Sequence, residues 1–156
     1  MRGYCLAGGF GLATSCDFVV ASDDAVFAAP EIDVGLWPMM ITVPLIRAMP
    51  AKKALELMMT GRRVSAAEGE RIGFATQVAA ADHLDETVAT LANSLAAKSP
   101  TAISLGRRAF FATLDMDTQY ALGLLQAQLT ILASSEDAKE GSLAFREKRK
   151  ANWKGR

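Results

Sequence analysis

Leu6-Ala7-Gly8-Gly9-Phe10-Gly11-Leu12-Ala13 is a glycine cluster running into apolar residues, and Glu31 of Pro30-Glu31 follows twenty residues beyond Gly11. Such a cluster opens a helix. Glycine lets backbone approach a ligand closely, and the first N–H groups of a helix have no carbonyl partner within it, so the corner attracts negative charge. A carboxylate returning to that corner adds a proton-transfer group beside a stabilised anion, which is a catalytic layout. Each half alone also has a plainer reading, as a tight turn and as an ordinary helix start. The corner is not a nucleotide fingerprint. There is no G-x-G-x-x-G between a strand and a helix and no G-x-x-x-x-G-K-[ST], so no lysine stands ready for a phosphate. The glycines suit one developing oxyanion.

Working outward, residues 9–14 read as the first turns of a short helix. The apolar runs 18–21 and 26–28, separated by Ser22-Asp23-Asp24, read as strand, turn and strand. Pro30 fits the first turn of a short helical segment carrying Glu31. Pro38, Pro44 and Pro50 punctuate short helices, and residues 52–60 form a helix ended by Gly61. Ser65-Ala66-Ala67-Glu68 is a capping box for a helix that stops at Gly73, with a short strand expected at 74–78. Beyond this the pattern is helical only. Leu84, Val88, Leu91 and Leu95 share one face, Ser99-Pro100 starts a helix, Tyr120, Leu124, Ala127 and Ile131 form another stripe, and Ser135 caps a last helix. The expected organisation is an α/β part over 1–80 and a helical part over 81–156.

At 156 residues with 51% hydrophobic residues, the chain is long enough to bury a core. Its formal net charge is zero, which argues against a general binder of nucleic acid or of membrane surfaces. The longest apolar stretches are broken by proline and too short to span a bilayer, and Met1-Arg2 begins no signal peptide. Cys5 and Cys16 read as small core residues in a reducing compartment, so a cytoplasmic location is expected. No metal site is expected, because His83 is the one histidine and there is no Cys-x-x-Cys.

Several motifs stand in one order along the chain. They are Gly3-Tyr4-Cys5-Leu6-Ala7-Gly8-Gly9, Cys16-Asp17, Ala25-Val26-Phe27 and Pro30-Glu31-Ile32-Asp33-Val34-Gly35-Leu36. Ala54-Leu55-Glu56-Leu57-Met58-Met59-Thr60-Gly61 and Ala66-Ala67-Glu68-Gly69-Glu70-Arg71-Ile72-Gly73 come next, and Phe145-Arg146-Glu147-Lys148-Arg149-Lys150-Ala151-Asn152-Trp153 closes the series. Together they resemble the crotonase superfamily, the enoyl-CoA hydratases and isomerases, from end to end. Members of that family are longer at the N-terminus, so the resemblance implies a C-terminal portion. The fold expected is the last part of a crotonase-like ββα spiral, followed by a helical region that builds a homotrimer or hexamer. A transit peptide would lie in the preceding part. Little activity is expected of this chain alone, which would lack one oxyanion donor.

The resemblance also implies roles. Gly8 matches the glycine whose backbone N–H forms half of the oxyanion hole, with Gly9 beside it at the substrate, and Glu31 matches an acid/base glutamate. Gly11 departs from the hydratases, which place a second glutamate there to help activate water. Single-acid, isomerase-type chemistry through Glu31 is therefore expected. An aspartate eight residues after Glu31 would mark dienoyl-CoA isomerases, and Met39 stands there instead. Trp37 and Pro38 are expected along the acyl pocket. Trp37, Met39 and Met40 replace small residues common in hydratases. Phe145 and Lys148 match positions near the CoA adenine and phosphates. No cofactor is expected beyond CoA as part of the acyl-CoA substrate. The competing reading is a non-catalytic, truncated crotonase-fold protein serving as a binding or assembly module.

Overall fold

The computed structural model describes residues 1–156 and divides into two compact units, Met1–Thr90 and Leu91–Arg156. The first unit is α/β. Strand β1 (Tyr4–Leu6) leads into helix α1 (Gly8–Thr14), and β2 (Val20–Ser22) and β3 (Val26–Ala28) follow. A 3-10 turn (Pro30–Val34) precedes α2 (Met39–Ala48) and α3 (Ala51–Thr60), and then come β4 (Val64–Ser65), α4 (Ala66–Ile72) and β5 (Gln77–Ala79). One sheet has the order β1-β3-β4, with β1 and β3 parallel and Leu6 opposite Ala28, while β4 runs antiparallel to β3. A second pair joins β2 to β5 in parallel.

Three aromatic rings organise the core. Phe10, Phe27 and Phe74, from α1, β3 and the segment after α4, meet with ring centroids 4.8 to 5.5 Å apart in tilted and edge-on arrangements. These geometries suit the ring quadrupoles. Leu45, Leu57, Met58 and Val64 are fully buried in the same cluster, and Cys5 lies within it.

Several expectations are corrected here. Phe18 is half-exposed and the second strand starts only at Val20, because Val19 and Val20 carry the burial. Phe74 and Ala75 are core residues that precede the last strand, which runs Gln77–Ala79. Tyr4–Leu6 is a strand where none was expected, with Cys5 buried and opposite Phe27 of the neighbouring strand. Pro44 sits inside α2 where a break was expected. Ile41 and Leu45, both buried, hold that helix on the core, so packing outweighs the backbone bond that proline forfeits. Cys5 is buried as expected, but Cys16 is exposed just after α1 and is no core residue.

The second unit takes over within α5 (Leu84–Ala96) and adds α6 (Pro100–Thr113), α7 (Thr118–Ser134) and α8 (Glu136–Glu147). Ser99 caps α6 and Ser135 caps α8, each accepting a backbone N–H at 3.0 Å. The final residues return along this unit. Trp153 Nε1 donates to the Ala97 carbonyl at 2.9 Å, and the Lys154 and Gly155 N–H groups donate to Asp137 Oδ1 at 2.6 and 3.0 Å. Asp137 is buried and also accepts from the Ser99 hydroxyl at 2.7 Å. Chiefly that hydroxyl, helped by the two N–H groups and opposed by burial, holds the Asp137 carboxyl far below the usual carboxylate range. No residue of α7 is buried. No helix is long and apolar enough to cross a membrane.

Candidate active site

Because β1 and β3 are parallel neighbours, the chain leaves both at the same edge of the sheet. The Ala7 N–H donates to the Ala28 carbonyl at 2.9 Å, which carries the pairing one residue past the strands. There α1 begins at Gly8 and the 3-10 turn at Pro30. The region beyond the carboxyl ends of parallel strands is where such sheets bind ligands. Gly8, Gly9 and Glu31 therefore gather at one edge.

Ala7 makes the corner sharp. Its φ of 50° and ψ of −128° are unusual for a residue with a Cβ, and its carbonyl receives the Phe10 and Gly11 N–H groups as the first bonds of α1. Gly8 and Gly9 are then the first two helical positions, whose N–H groups have no intrahelical acceptor. Both are exposed, neither has a positive φ, and a Cβ on either would meet nothing within 4 Å. Neither chain packing nor backbone conformation demands glycine there. The open space leaves room for a ligand to touch the backbone.

Glu31 is half-buried in the 3-10 turn, which Pro30 starts and Gly35 ends with a left-handed φ of 76°. The Leu36 N–H donates back to the Glu31 carbonyl at 3.0 Å, fixing its backbone. Its carboxylate oxygen Oε2 is buried and has no hydrogen-bond partner. A buried polar atom left unpaired costs about 1–3 kcal/mol, so such atoms cluster where a ligand or a reaction needs them. The Asp33 carboxylate lies beside Gly61. A Cβ on Gly61 would lie 3.2 Å from both Asp33 carboxylate oxygens and 3.1 Å from Ile32 Cγ2.

That contact ties the turn to a braced loop. Arg62 Nη2 donates to Glu56 Oε2 at 3.0 Å and to Glu68 Oε1 at 2.8 Å, joining the end of α3 to α4. These bonds lower the pKa of both carboxyls and raise that of the guanidinium. Trp37 packs partly buried on the core and Pro38 is buried, whereas Met39 and Met40 are exposed. Gly11 is buried under Ile41 of α2. No group of three histidine, cysteine or acidic residues could hold a metal ion. In the second unit, Phe145 is 86% exposed near the end of α8, and Lys148 follows at its C-cap with a φ of 55°.

Sequence reasoning missed Ala7 and Ile41. An alanine carries no mark of its φ, and Ile41 reads as one more apolar helix residue. Only its proximity to Gly11 in the fold sets it apart.

A family model described as enoyl-CoA hydratase/isomerase matches residues 1–156. The chain belongs to that family. The carnitinyl-CoA dehydratase of Proteus mirabilis (strain HI4320) is 39% identical over 162 residues, covering 100% of this chain and 62% of that protein. Among solved structures, an enoyl-CoA hydratase of Mycobacterium smegmatis superposes with a TM-score of 0.95 at 31% identity, over 98% of this chain and 60% of that one. The human enoyl coenzyme A hydratase domain-containing protein 3 gives 0.94 at 36% identity, over 97% and 60%. These likenesses establish a crotonase-like α/β fold. The chain spans about three-fifths of the length of these relatives.

Proposed function

We propose that this hydratase/isomerase family member acts on acyl-CoA thioesters and moves a proton with Glu31 as its one acid/base. The observation that carries the reading is the unpaired, buried Oε2 of Glu31 at the sheet edge where Gly8 and Gly9 present open backbone. Names among the relatives, such as carnitinyl-CoA dehydratase, support the acyl-CoA substrate class.

In this reading the thioester oxygen lies against the Gly8 N–H, with Gly9 beside it. The Glu31 carboxylate takes a proton from C2 of a 3-enoyl thioester. The C–H electron pair moves toward the carbonyl, whose oxygen takes the negative charge. When that pair returns, the double bond forms between C2 and C3, and C4 receives the proton from Glu31. Losing one oxyanion donor costs about 2.7–4 kcal/mol, so the charge on that oxygen decides the rate. Gly11 supports a double-bond shift over hydration, because glycine holds no second carboxylate for an attacking water. Trp37 and Pro38 would border the acyl chain. Phe145 would stack on the adenine and Lys148 would meet the CoA phosphates. No metal or organic cofactor enters this scheme.

The helical region would pack between subunits of a homotrimer or hexamer, which the exposed apolar face of α7 supports. Exposure of that face also favours the second reading, a non-catalytic assembly module. Glu31→Gln in the whole protein separates the two. Deuterium exchange at the substrate carbon should fall about 10²–10⁴-fold, as for loss of a positioned general base, with acyl-CoA affinity little changed. An unchanged rate would remove Glu31 from its role, and an inactive wild type would leave the assembly reading.

A further inference from the structure

Position 11 is walled in. A Cβ on Gly11 would stand 2.6 Å from Ile41 Cβ and 3.3 Å from its Cα, and closer still to Cγ2. Carbon atoms pack at about 3.5–4.0 Å, so no side chain fits at position 11 while Ile41 is present. Truncating Ile41 to alanine would not help, since the Cβ itself is in the way. Ile41 cannot swing aside either. It is 5% exposed, belongs to the main core, and is β-branched on a helix, which leaves one strongly preferred rotamer. Gly8, one turn earlier on the same helix, faces open space instead. The helix α2 thus covers the second turn of α1 and spares the first.

Resting on the single-acid reading above, we propose that Ile41 determines reaction specificity by filling the place beside Gly11 where a second carboxylate would stand. Its side chain also offers a water no hydrogen bond there. The site is held to proton transfer by packing as well as by the missing acid. Restoring the acid at position 11 alone therefore fails; the space must be cleared with it.

The test compares the whole protein with Gly11→Glu, Ile41→Gly and the double variant, by Tm and by products from enoyl-CoA substrates. Hydration is read as 3-hydroxyacyl-CoA, with the water's oxygen on C3 and a proton on C2, and isomerisation as the shifted double bond. Gly11→Glu alone should lower Tm by several degrees and gain no hydration. In the double variant the Tm losses should be less than additive, and the hydration-to-isomerisation ratio should rise about tenfold or more. Additive Tm losses, hydration by Gly11→Glu alone, or an unchanged ratio in the double variant would each overturn the role of Ile41. Where Gly11→Glu does not fold, Gly11→Ala with and without Ile41→Gly completes the same Tm cycle. A wild type that shifts no double bond overturns the single-acid reading instead, so the two failures are distinct.

Discussion

Ala7 carries the strain that turns β1 into α1. A residue with a Cβ at φ 50° and ψ −128° costs about 1–3 kcal/mol, while the flexibility of glycine in the unfolded chain costs about 0.5–1 kcal/mol. The first exceeds the second, so Ala7→Gly should raise stability by about 1 kcal/mol, read as a higher urea midpoint. A lower midpoint would mean that the alanine methyl group packs usefully. Phe74 argues in the opposite direction. It closes the aromatic triad and its ring also lies where a Cβ on Gly69 would come, 2.6 Å from Cε2. Phe74→Ala should cost about 3–5 kcal/mol in urea denaturation, whereas overpacking by Gly69→Ala should cost about 1–3 kcal/mol. The open helix start at Gly8 and Gly9 and the turn that carries Glu31 were legible, because glycine and proline mark such corners by residue type and spacing. Ile41 and Ala7 were not, since their importance comes from a contact and from a backbone angle that no side chain announces.

Helix ends were the most legible elements, because capping is local chemistry. Ser65, Ser99 and Ser135 each receive the expected N–H, and Gly61 and Gly73 end their helices in the left-handed conformation. The strands were less so. Each has two or three residues, too few for alternation to register, and their positions are decided by which neighbours they pair with. The last residues of the chain are bound through Asp137, which gives an acid-dependence with a definite sign. Its folded pKa is depressed by the Ser99, Lys154 and Gly155 donors, so its contribution is complete above the unfolded value of about 3.9 and is lost as pH falls through the folded value. Trp153, read by fluorescence in a Trp37→Phe background, should stay docked on Ala97 at pH 4 and be released only in stronger acid. Asp137→Asn should release it already at neutral pH. Early release in the parent, or none in the variant, would show that Asp137 does not hold this segment.

At the scale of the molecule, the apolar stripe of Tyr120, Leu124, Ala127 and Ile131 was legible as a stripe but not as to what covers it. Periodicity reports which residues share a face, and a core face and a subunit face look alike. In the fold the stripe lies open. Tyr120 is 74% exposed and Ile131 57%, on a helix of 17 residues that buries none of its side chains. Contiguous apolar surface of this kind drives association. The protein should therefore sediment as an oligomer at micromolar concentration. Tyr120→Glu distinguishes assembly from folding by magnitude. A substitution at so exposed a position changes the stability of a single chain by about 0.5 kcal/mol or less. Buried between subunits, an unpaired carboxylate costs several kcal/mol, and every 1.4 kcal/mol is about a tenfold loss of affinity. The variant should keep its helical circular dichroism and sediment as a smaller species. A wild type that runs as a monodisperse, cooperatively unfolding monomer would show that α7 needs no second subunit to cover it, and the trimer or hexamer proposal would fall with that result.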